Sequence, residues 1–278
     1  MARTVIVTGA ASGIGRALAE NHFERGDHVY ALDWNGDALR DLAAKGIETR
    51  RIDVADYAAL DATAAEIWEA CDGVDWVYAN AGVSAGGALL KTTPEAFERC
   101  FSINVIGAWA TLQVFARRMA ESGRAGRLCI TGSEHSLGFQ HAGAGVYTAS
   151  KHAVLGMADV WRHELPSTIS ISVLCPGLTA TGIGETPGAS EKANAMGRAV
   201  MAEGLDPAIV AQATIEGVDR GDFLIASHSA SKLGWDKRFA DVDAAFERVP
   251  EAGRDIDRYA VPAAIQRARE KLMGGPSG

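Results

Sequence analysis

Cysteine is scarce in this chain, and what there is forms no pattern. Cys71, Cys100, Cys129 and Cys175 stand far apart with no C-x-x-C pair, so neither a zinc site nor a disulfide framework is indicated and buried free thiols are expected. The seven histidines lack metal-ligand spacing, and no metal is expected. Basic charge is also in short supply. Against 35 Asp and Glu stand 27 Lys and Arg, a net charge of -8, which disfavours a nucleic-acid or anionic-membrane surface. No apolar run reaches the roughly 18 residues of a membrane span. A strand expected from Thr4 leaves no room for a cleavable leader, so a cytoplasmic, reducing setting is expected. Repeats, low-complexity blocks and interdomain linkers are missing too, and residues 1–278 are expected to form one domain of the larger single-core type.

What is present is an ordinary globular composition, 47% apolar and 22% charged, enough to bury a sizeable core. Apolar runs alternate with helix-like stretches almost from end to end. Strands are expected at Val5–Val7, His28–Leu32, Glu48–Ile52, Asp75–Ala79, Arg127–Thr131, Ile169–Cys175 and Phe223–Ala226. Helices are expected at Arg16–Arg25, Gly36–Ala44, Tyr57–Ala70, Pro94–Ala120 behind a Thr93 cap, Val146–Leu165 and Pro207–Arg220. That alternation predicts an α/β fold, a Rossmann-like doubly wound parallel sheet of about seven strands with helices on both faces. Residues 182–204 are rich in small side chains and read as a substrate lid. The tail, residues 235–278, reads as a helical extension in two pieces with a frayed end.

Two patterns carry chemistry. Between the first strand and helix lies Thr8-Gly9-Ala10-Ala11-Ser12-Gly13-Ile14-Gly15. Gly9 permits the tight turn, Gly13 lets backbone approach a pyrophosphate, and Gly15 allows close packing while the helix N-terminus offers N–H groups to anionic oxygen. Asp33 ends the second strand, 18 residues after Gly15, where a carboxylate can accept hydrogen bonds from both adenosine ribose hydroxyls and would repel a 2′-phosphate. Neither Ser12 nor Trp34 nor Asn35 adds positive charge, which favours NAD over NADP. The second pattern is Tyr147 and Lys151, four apart on one helix, so an ammonium can stand beside a phenol. A free tyrosine has a pKa of about 10 and is a poor base at neutral pH, and the adjacent cation is expected to lower it.

With these motifs in this order, the chain resembles the short-chain dehydrogenase/reductase family, in its single-domain branch, from about residue 4 to about residue 226. The resemblance extends to Asp53-Val54 as an adenine-contacting step, to Asn80-Ala81-Gly82 at the end of the fourth strand, and to Pro176-Gly177 with Thr181 as the segment that holds the nicotinamide carboxamide. It implies four reacting positions, Asn104, Ser133, Tyr147 and Lys151. Tyr147 would exchange a proton with the substrate oxygen, and Ser133 would hold that oxygen. Lys151 would lower the tyrosine pKa and hold the nicotinamide ribose. Asn104 would hold a water linking Lys151 to solvent. Ser136 is a second candidate for the serine, because Ser133 lies a long 14 residues before Tyr147.

The expected activity is NAD-dependent oxidation of a secondary alcohol, or reduction of a ketone, on a hydrophobic or cyclic small molecule. Phe139, Met196 and Met201 are candidates for an apolar wall, and His135 and His141 for polar contacts to substrate. An NADP-dependent ketoreductase, an epimerase or dehydratase of the extended branch, and a catalytically silent NAD-binding interaction protein are the alternatives. The resemblance also implies a homodimer or homotetramer, with Trp109, Phe115, Met157 and Trp161 as candidates for a helix-on-helix face.

Overall fold

The computed structural model describes residues 2–138, 141–184 and 190–273. Seven parallel strands form one sheet: β1 (Thr4–Thr8), β2 (His28–Asp33), β3 (Glu48–Arg51), β4 (Trp76–Ala79), β5 (Gly126–Thr131), β6 (Ile169–Cys175) and β7 (Leu224–Ala226). Their order is β3-β2-β1-β4-β5-β6-β7. The chain therefore winds outward from β1 to β3, returns to the middle and winds outward the other way. Connections reverse direction between β1 and β4, and a crevice opens there at the carboxyl ends of the strands.

Alternation along each central strand sends side chains to two cores. Val5, Val7, Val29 and Ala31 face one side, with Leu18 of α1 (Gly13–Glu24) and Leu42 of α2 (Arg40–Ala44). Ile6, Tyr30, Leu32 and Val77 face the other, packed by Leu60 of α3 (Tyr57–Ala70).

Along the rest of the chain the expected Pro94–Ala120 helix is interrupted. An α-helix, α4 (Pro94–Phe101), capped by Thr93, runs into a π-helical segment, Ser102–Gly107, before α5 (Ala108–Ser122) resumes the α geometry. A four-residue helix, α6 (Glu134–Leu137), falls inside the expected loop after β5, and α7 (Gly145–Glu164) carries the Tyr147 and Lys151 pair. Phe115 of α5 is fully buried in the sheet-facing core rather than on a free helix face, a burial that contributes roughly 1.5–3 kcal/mol.

Beyond β6 the expected lid contains a short 3-10 turn at Gly182–Gly184 and α8 (Glu191–Ala202). Its base is closed by a parallel bridge between Thr179 and Leu205. Gly184 and Gly197 pack backbone to backbone, so a Cβ on Gly197 would lie 2.1 Å from the Gly184 carbonyl oxygen. α9 (Pro207–Arg220) covers the first core, placing Val210, Ile215 and Val218 against it.

The chain divides into two compact units, Met1–Gly234 and Trp235–Gly278. α10 (Ser231–Phe246) bridges that division in sequence. The second unit continues with α11 (Ile256–Tyr259) and α12 (Val261–Met273), with Trp235 and Phe239 stacked at 3.7 Å. Among the described residues it has three α-helical pieces and a 3-10 turn at Glu251–Gly253, where two helical pieces are expected from sequence.

Candidate functional site

The β1–α1 turn is built for close approach. Gly9 sits at φ +66°, in the left-handed region where L side chains are strained, and a Cβ there would lie 2.8 Å from Ala81 Cα. A Cβ on Gly15 would come within 2.2 Å of the Gly9 carbonyl oxygen. Gly13 faces Thr181, whose methyl would stand 2.9 Å from a Gly13 Cβ, so the turn and the segment after β6 meet. Ile14 is buried in the core below, while Ser12 stands exposed at the N-cap with no side-chain capping bond. The expected α1 start moves forward from Arg16 to Gly13, which puts the helix N-terminus at the glycine cradle itself. A cradle that any Cβ would fill, ending at N–H groups of a twelve-residue helix, fits a pyrophosphate.

At the next strand end, the Asp33 carboxylate is nearly buried and is oriented by two main-chain donors, Ala11 N–H at 3.0 Å and Asn35 N–H at 2.9 Å. Sequence reasoning missed its neighbour. Arg51 stands opposite Asp33 in the β2–β3 register and donates from Nε to the Trp34 carbonyl at 3.2 Å. Arg51, Trp34, Asp53, Asp56, Ile52 and Ala59 line a cleft of about 380 Å³. Asp53 accepts from Ala55 N–H at 3.0 Å, and Val54 is buried against Gly107 of the π segment.

The end of β4 is stitched to β1 and β5. Thr8 Oγ1 accepts from Asn80 N–H at 3.1 Å and Ala81 N–H at 3.3 Å. The Asn80 side chain donates to the Thr8 carbonyl and accepts from Thr131 Oγ1, both at 3.2 Å. Gly82 leaves space for two polar groups, since a Cβ there would stand 3.3 Å from Asn104 Oδ1 and 3.6 Å from Lys151 Nζ.

Asn104 lies in the π segment and is fully buried, a position where such segments often accompany function. Its Oδ1 accepts from Val83 N–H at 2.8 Å, and Nδ2 donates to the Val83 carbonyl at 3.0 Å and to Ser150 Oγ at 3.1 Å. The side chain is thus engaged by protein through both Oδ1 and Nδ2.

Lys151 is buried, and its Nζ donates to the Thr131 carbonyl at 2.7 Å, 5.7 Å from the centre of the Tyr147 ring. Burial lowers its pKa to about 8, which leaves it an ammonium at neutral pH. The Tyr147 phenol moves opposite to the expectation from spacing. Burial pushes it up to about 12, the Ser133 side chain pulls it down, and Cys100, Glu134 and Cys175 push it up further. Desolvation is the larger effect because the ammonium is turned toward a carbonyl, not onto the phenol.

Ser133 is the N-cap of α6, where its Oγ accepts from His135 N–H at 3.2 Å. Ser136 faces elsewhere, donating to the Lys151 carbonyl at 2.7 Å and accepting from Ser133 N–H at 3.2 Å. Of the two candidates, Ser133 is the one that acts on the phenol's pKa, and Ser136 ties α6 to α7. His135 is buried edge-on to Tyr147 at 5.3 Å and to His141 at 5.4 Å, with Nδ1 2.8 Å from Thr148 Oγ1. Burial lowers its pKa to about 4, so it is neutral at pH 7.

The segment after β6 is held by a residue without a sequence signal. His228 accepts from Gly177 N–H at 3.2 Å and donates from Nε2 to the Leu178 carbonyl at 2.8 Å. Pro176 contributes its carbonyl, which accepts from Glu134 N–H at 2.9 Å. Met201 packs against Gly184, whereas Met196 is exposed, and Phe139 lies outside the described residues. Among those residues no cluster of His, Cys, Asp and Glu could hold a metal, and no helix is long and apolar enough to cross a membrane.

Known proteins are similar to this chain in sequence and fold. A family model described as short chain dehydrogenase matches residues 3–192. A 1-deoxy-11-beta-hydroxypentalenate dehydrogenase from Streptomyces avermitilis is 34% identical over 251 residues, 86% of this chain and 89% of its own. The crystal structure of a short chain dehydrogenase/reductase from Burkholderia phymatum in complex with NAD superposes with a TM-score of 0.81 at 29% identity, covering 88% of this chain and 95% of that one. A short-chain dehydrogenase from Sphingobium yanoikuyae in complex with NADPH gives a TM-score of 0.73 at 25% identity, over 92% and 100% of the two chains. The motif order, the seven-stranded sheet and these relatives together place the chain in the short-chain dehydrogenase/reductase family.

Proposed function

We propose that this protein is an oxidoreductase that moves a hydride between NAD and the carbinol carbon of a secondary alcohol or ketone, on an apolar or cyclic small molecule, with Tyr147 as general acid and base. One observation carries the reading: at the carboxyl edge of the sheet the Lys151 ammonium stands 5.7 Å from the centre of the Tyr147 ring, and the Ser133 side chain pulls the Tyr147 phenol down against its burial. A bound nicotinamide supplies the hydride acceptor or donor at its C4. Gly9, Ser12, Gly13, Ile14 and Gly15 would hold its pyrophosphate, Asp33 the adenosine ribose, Asp53 and Val54 the adenine, and Asn80, Ala81, Gly82, Pro176, Gly177 and Thr181 the nicotinamide end. With its phenol held at about 12, Tyr147 is protonated at neutral pH and ready to give its proton to a ketone oxygen. In oxidation it accepts the alcohol proton as phenolate, a form that the Ser133 side chain favours. Ser133 steadies the substrate oxygen in both directions.

NADP use is the second reading, and Arg51 is the observation that favours it, because a guanidinium beside the ribose acid could meet a 2′-phosphate. The Asp33 carboxylate, fixed by Ala11 and Asn35, supports NAD instead. Initial rates on a panel of secondary alcohols with each cofactor decide between them. The expected result is a kcat/KM higher with NAD by at least tenfold; a preference for NADP would reverse the assignment of Asp33. A homodimer or homotetramer belongs to the same reading, supported by Ile106, Trp109 and Val160, which are exposed along the π segment, α5 and α7.

A further inference from the structure

α7 begins without a cap. Ala144 at its N-cap position offers the first turn no side-chain hydrogen bond, and that turn holds no acidic residue. A helix start in this state has N–H groups without intrahelical partners and opens more easily than a capped one. Tyr147 is the third residue of this helix, so the phenol is mounted on the part of α7 that its own sequence secures least. α6 grips that turn from outside. His135 Nδ1 lies 2.8 Å from Thr148 Oγ1, one residue past the phenol. Its imidazole packs on the Tyr147 ring at 5.3 Å with the ring planes at 83°, a favoured arrangement for such pairs. The main-chain N–H of the same residue donates to Ser133 Oγ at 3.2 Å. His135 therefore meets both side chains that the reading above places on the substrate oxygen. It is buried, and desolvation, with His141, His152 and Lys151 around it, keeps the ring neutral, so it acts by contact and not by charge.

We propose that His135 is a positioning residue for the reaction: its imidazole, held on Thr148, fixes the direction of the Tyr147 phenol and the helical turn that carries it. The inference rests on the reading of Tyr147 as acid and base. The outer torsion of a tyrosine side chain is broad, so a buried phenol takes its direction from what it packs against. Misplacing a reacting group by about 1 Å can cost on the order of 100-fold in rate. The glycine cradle is built from the β1–α1 turn and the end of β4, which His135 does not support, so its removal falls on turnover and leaves NAD affinity in place.

The test removes the imidazole from the full chain. In H135A, α6 stays anchored by Ser136, whose Oγ donates to the Lys151 carbonyl at 2.7 Å. The expected result is a kcat at least tenfold lower in oxidation and reduction, with KM and the NAD dissociation constant within about twofold of wild type. Amide hydrogen exchange reads the same contact without turnover. The Thr148 N–H, which donates to the Ala144 carbonyl at 2.8 Å, should exchange at least tenfold faster, while Leu128 and Val173 in the core strands exchange as before. H135N, whose amide oxygen can stand where Nδ1 does, regains the Thr148 protection and part of the turnover. T148V takes away the same hydrogen bond from its other partner, so adding it to H135A costs less than about twofold. On the Tyr147→Phe background H135A also costs less than about twofold, because the ring it aims has lost its reacting oxygen. A kcat within twofold of wild type, unchanged exchange at Thr148, or equal acceleration in the core strands overturns the proposal. So does an H135A loss as large on Tyr147→Phe as on wild type, which would mean that the imidazole acts on substrate itself. Absent turnover of any alcohol by wild type would defeat the oxidoreductase reading, and exchange at Thr148 would then decide alone whether His135 holds the turn that bears Tyr147.

Discussion

Tyr147→Phe should lower turnover by a factor on the order of 10²–10⁴, the usual contribution of a positioned acid–base group, in both oxidation and reduction. The substitution removes one oxygen and keeps the ring that packs edge-on against His135 at 5.3 Å. Folding and NAD affinity should therefore change little, and the loss should appear in kcat. The pH dependence gives the sign independently. Burial and the neighbouring negative charges raise the phenol to about 12, so the phenolate is a minor species at neutral pH. Oxidation should accelerate with rising pH as that species grows, and ketone reduction should slow. In the variant both limbs should flatten, because the group that titrates is gone. A stopped-flow pH series with wild type and variant checks this directly.

Gly15→Ala should disable the cofactor turn. The added Cβ would lie 2.2 Å from the Gly9 carbonyl oxygen and 2.6 Å from Asn80 Nδ2, and both are held in place, Asn80 by Thr8 and Thr131. Relief requires moving backbone, at an overpacking cost of about 1–3 kcal/mol. That displacement opens the turn at the point where α1 presents its N–H groups. NAD affinity should fall roughly 10- to 100-fold, in line with the tenfold change expected per 1.4 kcal/mol. The melting temperature should drop by several degrees. Calorimetric NAD titration alongside thermal unfolding measures both, and an unchanged dissociation constant would show that the turn does not hold the dinucleotide.

Much of the sheet was legible because buried parallel strands are short, nearly continuous apolar runs, as Val5–Val7 is, and because Ile169–Cys175 is β-branched at Ile169, Ile171 and Val173. The site was legible where chemistry is local in sequence. The glycine turn and the Tyr147–Lys151 spacing are of that kind, and α7 does bring the pair to one face. The π segment at Ser102–Gly107 was hidden, since a slightly wider turn barely disturbs the apolar pattern of the expected Pro94–Ala120 helix. The four residues of α6 are too few to show a period. Arg51 beside Asp33 and His228 beneath Gly177 are contacts made by strand register and by a return of the chain, and adjacency of that type leaves no mark on local sequence. The direction of the Tyr147 shift was hidden for a related reason. Spacing reveals that a cation is near, but the depth of burial, which outweighs it here, is a property of the packed fold.

The most direct measurement uses a secondary alcohol deuterated at its carbinol carbon. Incubated with the protein and NAD, it should yield reduced cofactor heavier by one deuterium, the label residing on the nicotinamide ring and the ketone carrying none. Reduced cofactor without label, or label recovered in water, would mean that hydrogen does not pass as hydride from carbinol to nicotinamide, and would contradict the chemistry assigned to Tyr147, Ser133 and Lys151.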